Sequence, residues 1–136
     1  IEGESRDIGR RLAQRVLQGN NRHHLYLSSG ETTVTVRGTG RGGPNTEFLL
    51  SLALELNGEK NIFALACDTD GIDGSENNAG AIIKPDTLFR ANNLGIDGQD
   101  YLLNNDAYSF FELLGDLVET GPTYTNVNDF RAILVL

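Results

Sequence analysis

Nine residues, Arg37-Gly-Thr-Gly-Arg-Gly-Gly-Pro-Asn45, constrain this chain more than any other stretch. They follow an alternating segment, residues 32–37, that reads as a strand, and they open a Leu-rich helix starting near Pro44. Glycine lacks a side chain and tolerates positive φ, so such a backbone can curl its N–H groups toward an anion. The helix behind it points its positive end the same way. Arg37 and Arg41 add forked donors suited to phosphate or carboxylate. Proline in the first helical turn sacrifices no hydrogen bond. The stretch predicts an oxyanion cradle built from Arg37, Gly38, Gly40, Arg41, Gly42 and Gly43.

Gly38, Gly40 and Gly43 also match G-x-G-x-x-G, the turn that admits a dinucleotide pyrophosphate. The arginines depart from that turn, where small residues let the pyrophosphate approach the backbone. No Gly-Lys-Ser/Thr follows, which excludes a Walker A loop. Taken alone, the motif also admits a flexible turn carrying surface arginines.

A chain of 136 residues builds one domain. It has no run of 18 apolar residues and no signal-peptide pattern, so a soluble, cytoplasmic protein is expected. It starts at Ile1 and contains no methionine, which suggests a fragment of a longer protein. The single cysteine, Cys67, excludes an internal disulfide, fits a reducing compartment and reads as a small buried residue. The net charge of −8 is uneven: residues 1–41 hold seven basic and four acidic side chains, residues 42–136 four basic and fifteen acidic. Such a surface does not favour nucleic acid, and it makes the positive glycine loop stand out.

Helical periodicity runs through residues 4–18, with Ile8, Leu12 and Val16 on one side and Ser5 as a candidate cap. Residues 24–27 and 32–37 read as strands, and residues 44–56 as a helix. The continuous apolar run of residues 61–67 predicts a central strand covered on both faces. Residues 79–83 suit a short strand or the start of a helix. Short helices are expected over 85–93, 97–104 and 107–114, and a closing strand over 131–136. Strands alternating with helices predict an α/β domain with a mixed β-sheet flanked by helices.

The loop Asp68-Thr-Asp-Gly-Ile-Asp-Gly-Ser-Glu76 leaves the carboxyl end of the apolar strand, the edge where open α/β sheets bind ligands. Asp68, Asp70 and Asp73 offer oxygens to Mg²⁺ or a base to a substrate hydroxyl. An EF-hand is excluded, because counting from Asp68 puts Ile72 and Ala79 where acidic ligands belong. A turn tied by its own aspartates is the alternative. A third polar loop, Thr120-Gly-Pro-Thr-Tyr-Thr-Asn-Val-Asn-Asp129, suits hydrogen bonds to a small polyhydroxy acid or to phosphate. His23 and His24 have no cysteine or carboxylate beside them and read as surface residues.

Together with Ser29-Gly-Glu-Thr-Thr33 and Asn105-Asp106, these motifs closely resemble the glycerate 2-kinase family, whose C-terminal part is called the MOFRL domain. The likeness covers essentially the whole chain, and members have also been labelled hydroxypyruvate reductases. Ser29, Thr46 and Tyr124 depart from the family's usual glycine, glutamine and glycine. The resemblance implies ATP-dependent phosphorylation of D-glycerate to 2-phosphoglycerate, with a divalent metal, in a cleft between two α/β domains. Residues 1–136 would then be the C-terminal domain, with residues 1–20 as the helix connecting it to a missing N-terminal domain. That domain of the same polypeptide is the implied partner, and the fragment alone is expected to be inactive.

Phosphoryl transfer asks the protein chiefly to align donor and acceptor and to neutralise charge. Arg41, seconded by Arg37, is assigned to phosphate or the glycerate carboxylate, and Asn45 and Glu47 to orienting substrate or a metal-bound water. Asp70 and Asp73 are candidates for Mg²⁺ or for the acceptor hydroxyl. Thr123, Asn126 and Asn128 are candidate substrate contacts. An NAD(P)-linked reductase and a non-catalytic small-acid-binding module are the other classes open to this sequence.

Overall fold

The apolar positions Ile8, Leu12 and Val16 line one side of α1 (Ser5–Gln18) and hold it against α2 (Pro44–Leu56). The other elements are β1 (His24–Ser29), β2 (Ile62–Asp68), β3 (Gly80–Ile83), α3 (Thr87–Asn93), α4 (Gly98–Leu103), α5 (Ala107–Leu114), β4 (Leu117–Val118) and β5 (Asp129–Val135). The computed structural model describes residues 3–19, 22–125 and 128–136.

The strands form one sheet in the order β1-β5-β2-β3-β4. The expected α/β architecture is present, but the expected mixture of strand directions is not: every pairing is antiparallel. The connections explain this. β2 returns to β3 through a loop with no helix, which does not produce a parallel neighbour, and β5 inserts between β1 and β2 from the far end of the chain.

Helix α2 is the centre of the core. Apart from Pro44, Leu54 and Glu55 it is wholly buried, between α1, the sheet and the shorter helices. On β2 the inward Ile62, Ala64 and Ala66 are buried beneath the helices, whereas Phe63 and Leu65 on the other face are half-buried. The apolar run of residues 61–67 is therefore covered by helices on one face only, among the described residues. Cys67 sits on that second face, half-buried, and burial with the nearby Asp73 charge pushes its thiol up to about 11.

Residues 32–37 do not form the expected strand. Only an isolated parallel bridge joins Thr33 to Glu4. Thr33 N donates to the Gly3 carbonyl (2.9 Å), while Thr35 N goes to the Glu4 side chain (3.2 Å) and Arg37 N to that of Asn105 (2.7 Å), so no ladder develops. Ser5 is not a cap either; it lies inside α1 and shares a buried hydrogen bond with Thr32 (2.7 Å).

Candidate functional site

The glycine loop is held from behind by the junction of α4 and α5. Arg37 N and Gly38 N donate to Asn105 Oδ1 (2.7 and 2.9 Å), Thr39 N to Asn104 Oδ1 (2.9 Å), Gly40 N to the Asn104 carbonyl (2.9 Å) and Arg41 N to Asp106 Oδ1 (3.0 Å). These N–H groups are satisfied within the protein, so the expected cradle of open backbone donors is not formed by residues 37–41. The glycines serve close approach instead: a methyl group on Gly40 would lie 2.2 Å from Asp106 Cβ.

The start of α2 is likewise occupied. Asp73 reaches over from the acidic loop and accepts from Asn45 N (2.9 Å) and Asn45 Nδ2 (3.2 Å) through Oδ1, and from Thr46 N (2.9 Å) through Oδ2. The carboxylate is fully buried at the positive end of a helix. Burial pushes its pKa up, and the N–H groups of Asn45 and Thr46 draw it partly back. Gly43 is the second glycine that permits contact, since a methyl group there would meet the Asp73 backbone at 2.4 Å. Asn45 Nδ2 also donates to Asp129 (3.0 Å), which leaves Asn45 Oδ1 buried without a partner among the described residues. Glu47 is buried against Arg6 (3.1 Å) and Asn105 Nδ2 (2.9 Å) and braces α1 to the loop.

In the acidic loop Asp68 accepts from Asp70 N (3.0 Å) and Asp70 from Ile72 N (2.8 Å), two successive aspartate turns. The third loop closes onto it: Thr123 N donates to the Asp70 carbonyl (3.0 Å), and the Thr69 hydroxyl to the Asn128 carbonyl (3.0 Å). Asp68 stands opposite Asp129 in the β2–β5 register. Burial, and then the charges of Asp129 and Asp70, raise Asp68 to about 6, so this strand end holds a proton unusually well.

Arg41 projects from the glycine loop, half exposed, with its guanidinium 4.5 Å above the Tyr108 ring. Its nitrogens lie 3.8 Å from Glu76 of the acidic loop and 3.7 Å from Glu112 of α5. Those separations are long for charge-assisted bonds and an incoming anion can displace them. Arg37 is exposed nearby in the chain.

The structure thus gathers Arg41, Asp70, Thr123 and Asn128 on loops that meet at one edge of the sheet. Asn45, Glu47 and Asp73 lie beneath them as buried supports, and Asn126 falls outside the described residues. Asn104, Asn105, Asp106 and Tyr108 were not singled out as supports by the sequence, since nothing local shows that one helix junction will satisfy a loop some 65 residues away.

Mg²⁺ takes one or two carboxylates and completes its shell with water and substrate phosphate. Asp70, partly accessible with Asp68 beside it, fits that role. Asp73 does not, because both its oxygens are committed to the start of α2. No group of three or more potential metal ligands forms among the described residues.

One helix-covered antiparallel sheet, with polar loops gathered at one edge, defines an α/β domain whose candidate site lies on its loops. A model of the MOFRL family matches residues 24–129, and the chain belongs to that family. It is 50% identical, over 99% of its length, to a protein of Agrobacterium vitis named "Putative hydroxypyruvate reductase", covering 33% of that protein. It is 36% identical, over its full length, to the D-glycerate 2-kinase of Thermotoga maritima, covering 34%. The crystal structure of a glycerate kinase from Thermotoga maritima superposes with a TM-score of 0.93 at 35% identity, over all of this chain and 34% of that one. A Pyrococcus horikoshii structure gives 0.91 at 34% identity, over 99% of this chain and 32% of that one. The chain spans about a third of the length of these relatives. No helix of the described residues is long and apolar enough to cross a membrane.

Proposed function

We propose that this chain is the C-terminal domain of an ATP-dependent glycerate 2-kinase and supplies one wall of a cleft completed by an N-terminal domain. The observation that carries the reading is Arg41: a loop arginine stacked on Tyr108 and held only loosely by Glu76 and Glu112, beside the acidic loop. A transferring phosphoryl group needs such a cation, fixed in place but free to exchange its partners.

In this reading the 2-hydroxyl oxygen of D-glycerate attacks the γ-phosphorus of ATP, the bond to the bridging oxygen breaks, and ADP leaves with that electron pair. Arg41 neutralises the transferring oxygens, or the glycerate carboxylate, with Arg37 second. Asp70 orients the acceptor hydroxyl, and Asp68, which burial raises to about 6, is ionised at pH 7 and takes the hydroxyl proton as the transfer proceeds. Asn45 and Asp73 keep the acidic loop and the start of α2 in register. Thr123 and Asn128, with Asn126, line the substrate side. When bound, Mg²⁺ would neutralise phosphate charge, held by Asp70 with Asp68 beside it.

The reductase reading loses its main support in this geometry. No strand leads into the glycine loop, and the N–H groups of residues 37–41 that a pyrophosphate would use are bonded to Asn104, Asn105 and Asp106.

Assay of the full-length parent separates the classes. Glycerate-dependent ADP release is expected, without hydroxypyruvate-dependent NADH oxidation; the reverse outcome overturns the proposal. In that enzyme Arg41→Ala should lower kcat/KM by about 10²-fold or more, and Arg41→Lys should restore only part of it. Residues 1–136 alone should fold and turn nothing over.

A further inference from the structure

Beneath α1, strand β5 carries a buried cation that the fold does not pair. Arg131 points to the helix-covered face of the sheet, beside the inward Ala66 of β2, and is 1% exposed. Its Nε donates to Ser28 Oγ (3.3 Å) and its Nη2 to the Gly30 carbonyl (2.6 Å). Both partners are neutral, and Nη1 is buried with no hydrogen-bond partner among the described residues. None of the ion pairs among those residues includes Arg131. Asp129, two residues earlier on the same face, is engaged by Asn45 Nδ2 (3.0 Å). The Phe48 ring, with its centroid 5.4 Å from the guanidinium carbon, offers the face of a quadrupole and no full charge. Burial accordingly pulls the Arg131 pKa down, and the Asp129 charge draws it partly back. An ion leaving water without a counter-charge is strongly disfavoured, so such a residue calls for an anion.

Arg131 lines a groove of about 330 Å³ between α1 and the edge strand β1, within the size range of small-ligand sites. The groove exists because α1 leans on α2 and leaves the inward Tyr26 and Ser28 of β1 half-buried. Leu12, Val16 and Ile133 make its apolar walls, and Arg15 and His24 join Arg131 and Ser28 as polar lining. No carboxylate lines it, in a chain with 19 acidic residues. Arg15 is exposed on α1 and Arg131 is buried on β5, so an entering anion meets one guanidinium at the solvent side and a second at the sheet. Ser28 Oγ accepts from Arg131, which leaves its O–H to donate. Neither Arg41 nor the acidic loop lines any part of this groove.

We propose that the groove is a second ligand site, which takes a small oxyanion, the phosphate or carboxylate of a compact metabolite, between Arg131 and Arg15. The anion supplies Nη1 with the acceptor it lacks, and planar guanidinium groups suit the paired oxygens of either ligand. The apolar walls accommodate the short carbon skeleton that carries the charge.

Amide NMR spectra of the isotope-labelled chain, which also report whether it is folded, test this. Inorganic phosphate is titrated in one arm and malonate in the other, at an ionic strength fixed with sodium chloride. Saturable shifts are expected around Arg15, Tyr26, Ser28 and Arg131, with a Kd on the order of 1 mM or tighter. The arm that binds tighter identifies phosphate or carboxylate as the natural group. Arg131→Met keeps the length of the side chain without its charge and should weaken binding by about tenfold or more. Arg15→Gln, at an exposed position, should weaken it by about threefold and decides alone should Arg131→Met fail to fold. Arg41→Ala should leave the titration unchanged. Calorimetry of the full-length parent carrying Arg41→Ala should show the same loss on adding Arg131→Met. Shifts that do not saturate by about 20 mM, binding indifferent to a folded Arg131→Met, or binding abolished by Arg41→Ala would each overturn the proposal. So would a parent in which Arg131→Met changes nothing, because the rest of the polypeptide would then fill the groove.

Discussion

Replacing Asp73 with alanine should destabilise the domain far more than an ordinary loop substitution. The carboxylate is fully buried and satisfies two main-chain N–H groups at the start of α2, Asn45 N and Thr46 N, both at 2.9 Å. Each buried donor left unpaired costs about 1–3 kcal/mol. Losing the attraction between carboxylate and helix end adds up to about 2 kcal/mol. Opposing this, the substitution removes a carboxylate whose burial disfavours its charged form. The balance is about 4 kcal/mol, in the range for breaking a buried ionic contact. For a domain of this size that lowers Tm by roughly 10–20 °C. Asp73→Asn keeps one acceptor but turns its amide N–H₂ toward the other donor, and should cost about half as much. Urea and thermal unfolding followed by circular dichroism at pH 7 would measure both. A loss below about 1 kcal/mol for Asp73→Ala would show that α2 does not depend on this cap, and the account of Asp73 as a support would be wrong.

Gly40→Ala places a methyl group 2.2 Å from Asp106 Cβ and should cost about 1–3 kcal/mol as the loop is pushed off α5, readable as a lower urea midpoint; an unchanged midpoint would mean the loop is not anchored there. Asp70→Asn should change stability by less than about 1 kcal/mol. In the parent enzyme it should raise the Mg²⁺ concentration for half-maximal rate if Asp70 holds metal, or lower kcat at unchanged metal dependence if it orients the hydroxyl; unchanged rate and titration would remove it from the site. Asp68 rises from 3.8 to about 6 on folding, so the cost of its charge is absent below pH 3.8, sets in between pH 3.8 and 6, and is complete above. In metal-free buffer Asp68→Asn should therefore gain stability over the wild type across that window, and a constant difference would contradict the cause given for the shift.

Periodicity and punctuation made much of the helix layer legible. The pattern over residues 44–56 and 107–114 corresponds to α2 and α5, whose starts and ends follow Pro44, Asp106 and Gly115. The closing apolar run became β5, with a start two residues earlier than expected. Residues 32–37 misled because alternation signals a strand only where a neighbour supplies the ladder. Here Asn105 and Glu4 took the N–H groups first. The two-residue β4 carries too little pattern to be seen at all.

At the site, the sequence by itself determined the chemistry on offer: a glycine loop with arginines, an aspartate loop at the end of an apolar strand, and a polar loop before the last one. Glycine and aspartate announce turns through local conformational preference, which any stretch of chain displays. Only the tertiary structure decided which of these groups remain free to act. Asp73, legible as a ligand, is used up at the start of α2, and the loop N–H groups are used up by Asn104, Asn105 and Asp106. Arg41 keeps an exchangeable charge facing the acidic loop. Buried polar groups must find partners wherever the fold brings them, and those partners lie tens of residues away, beyond the reach of any local pattern.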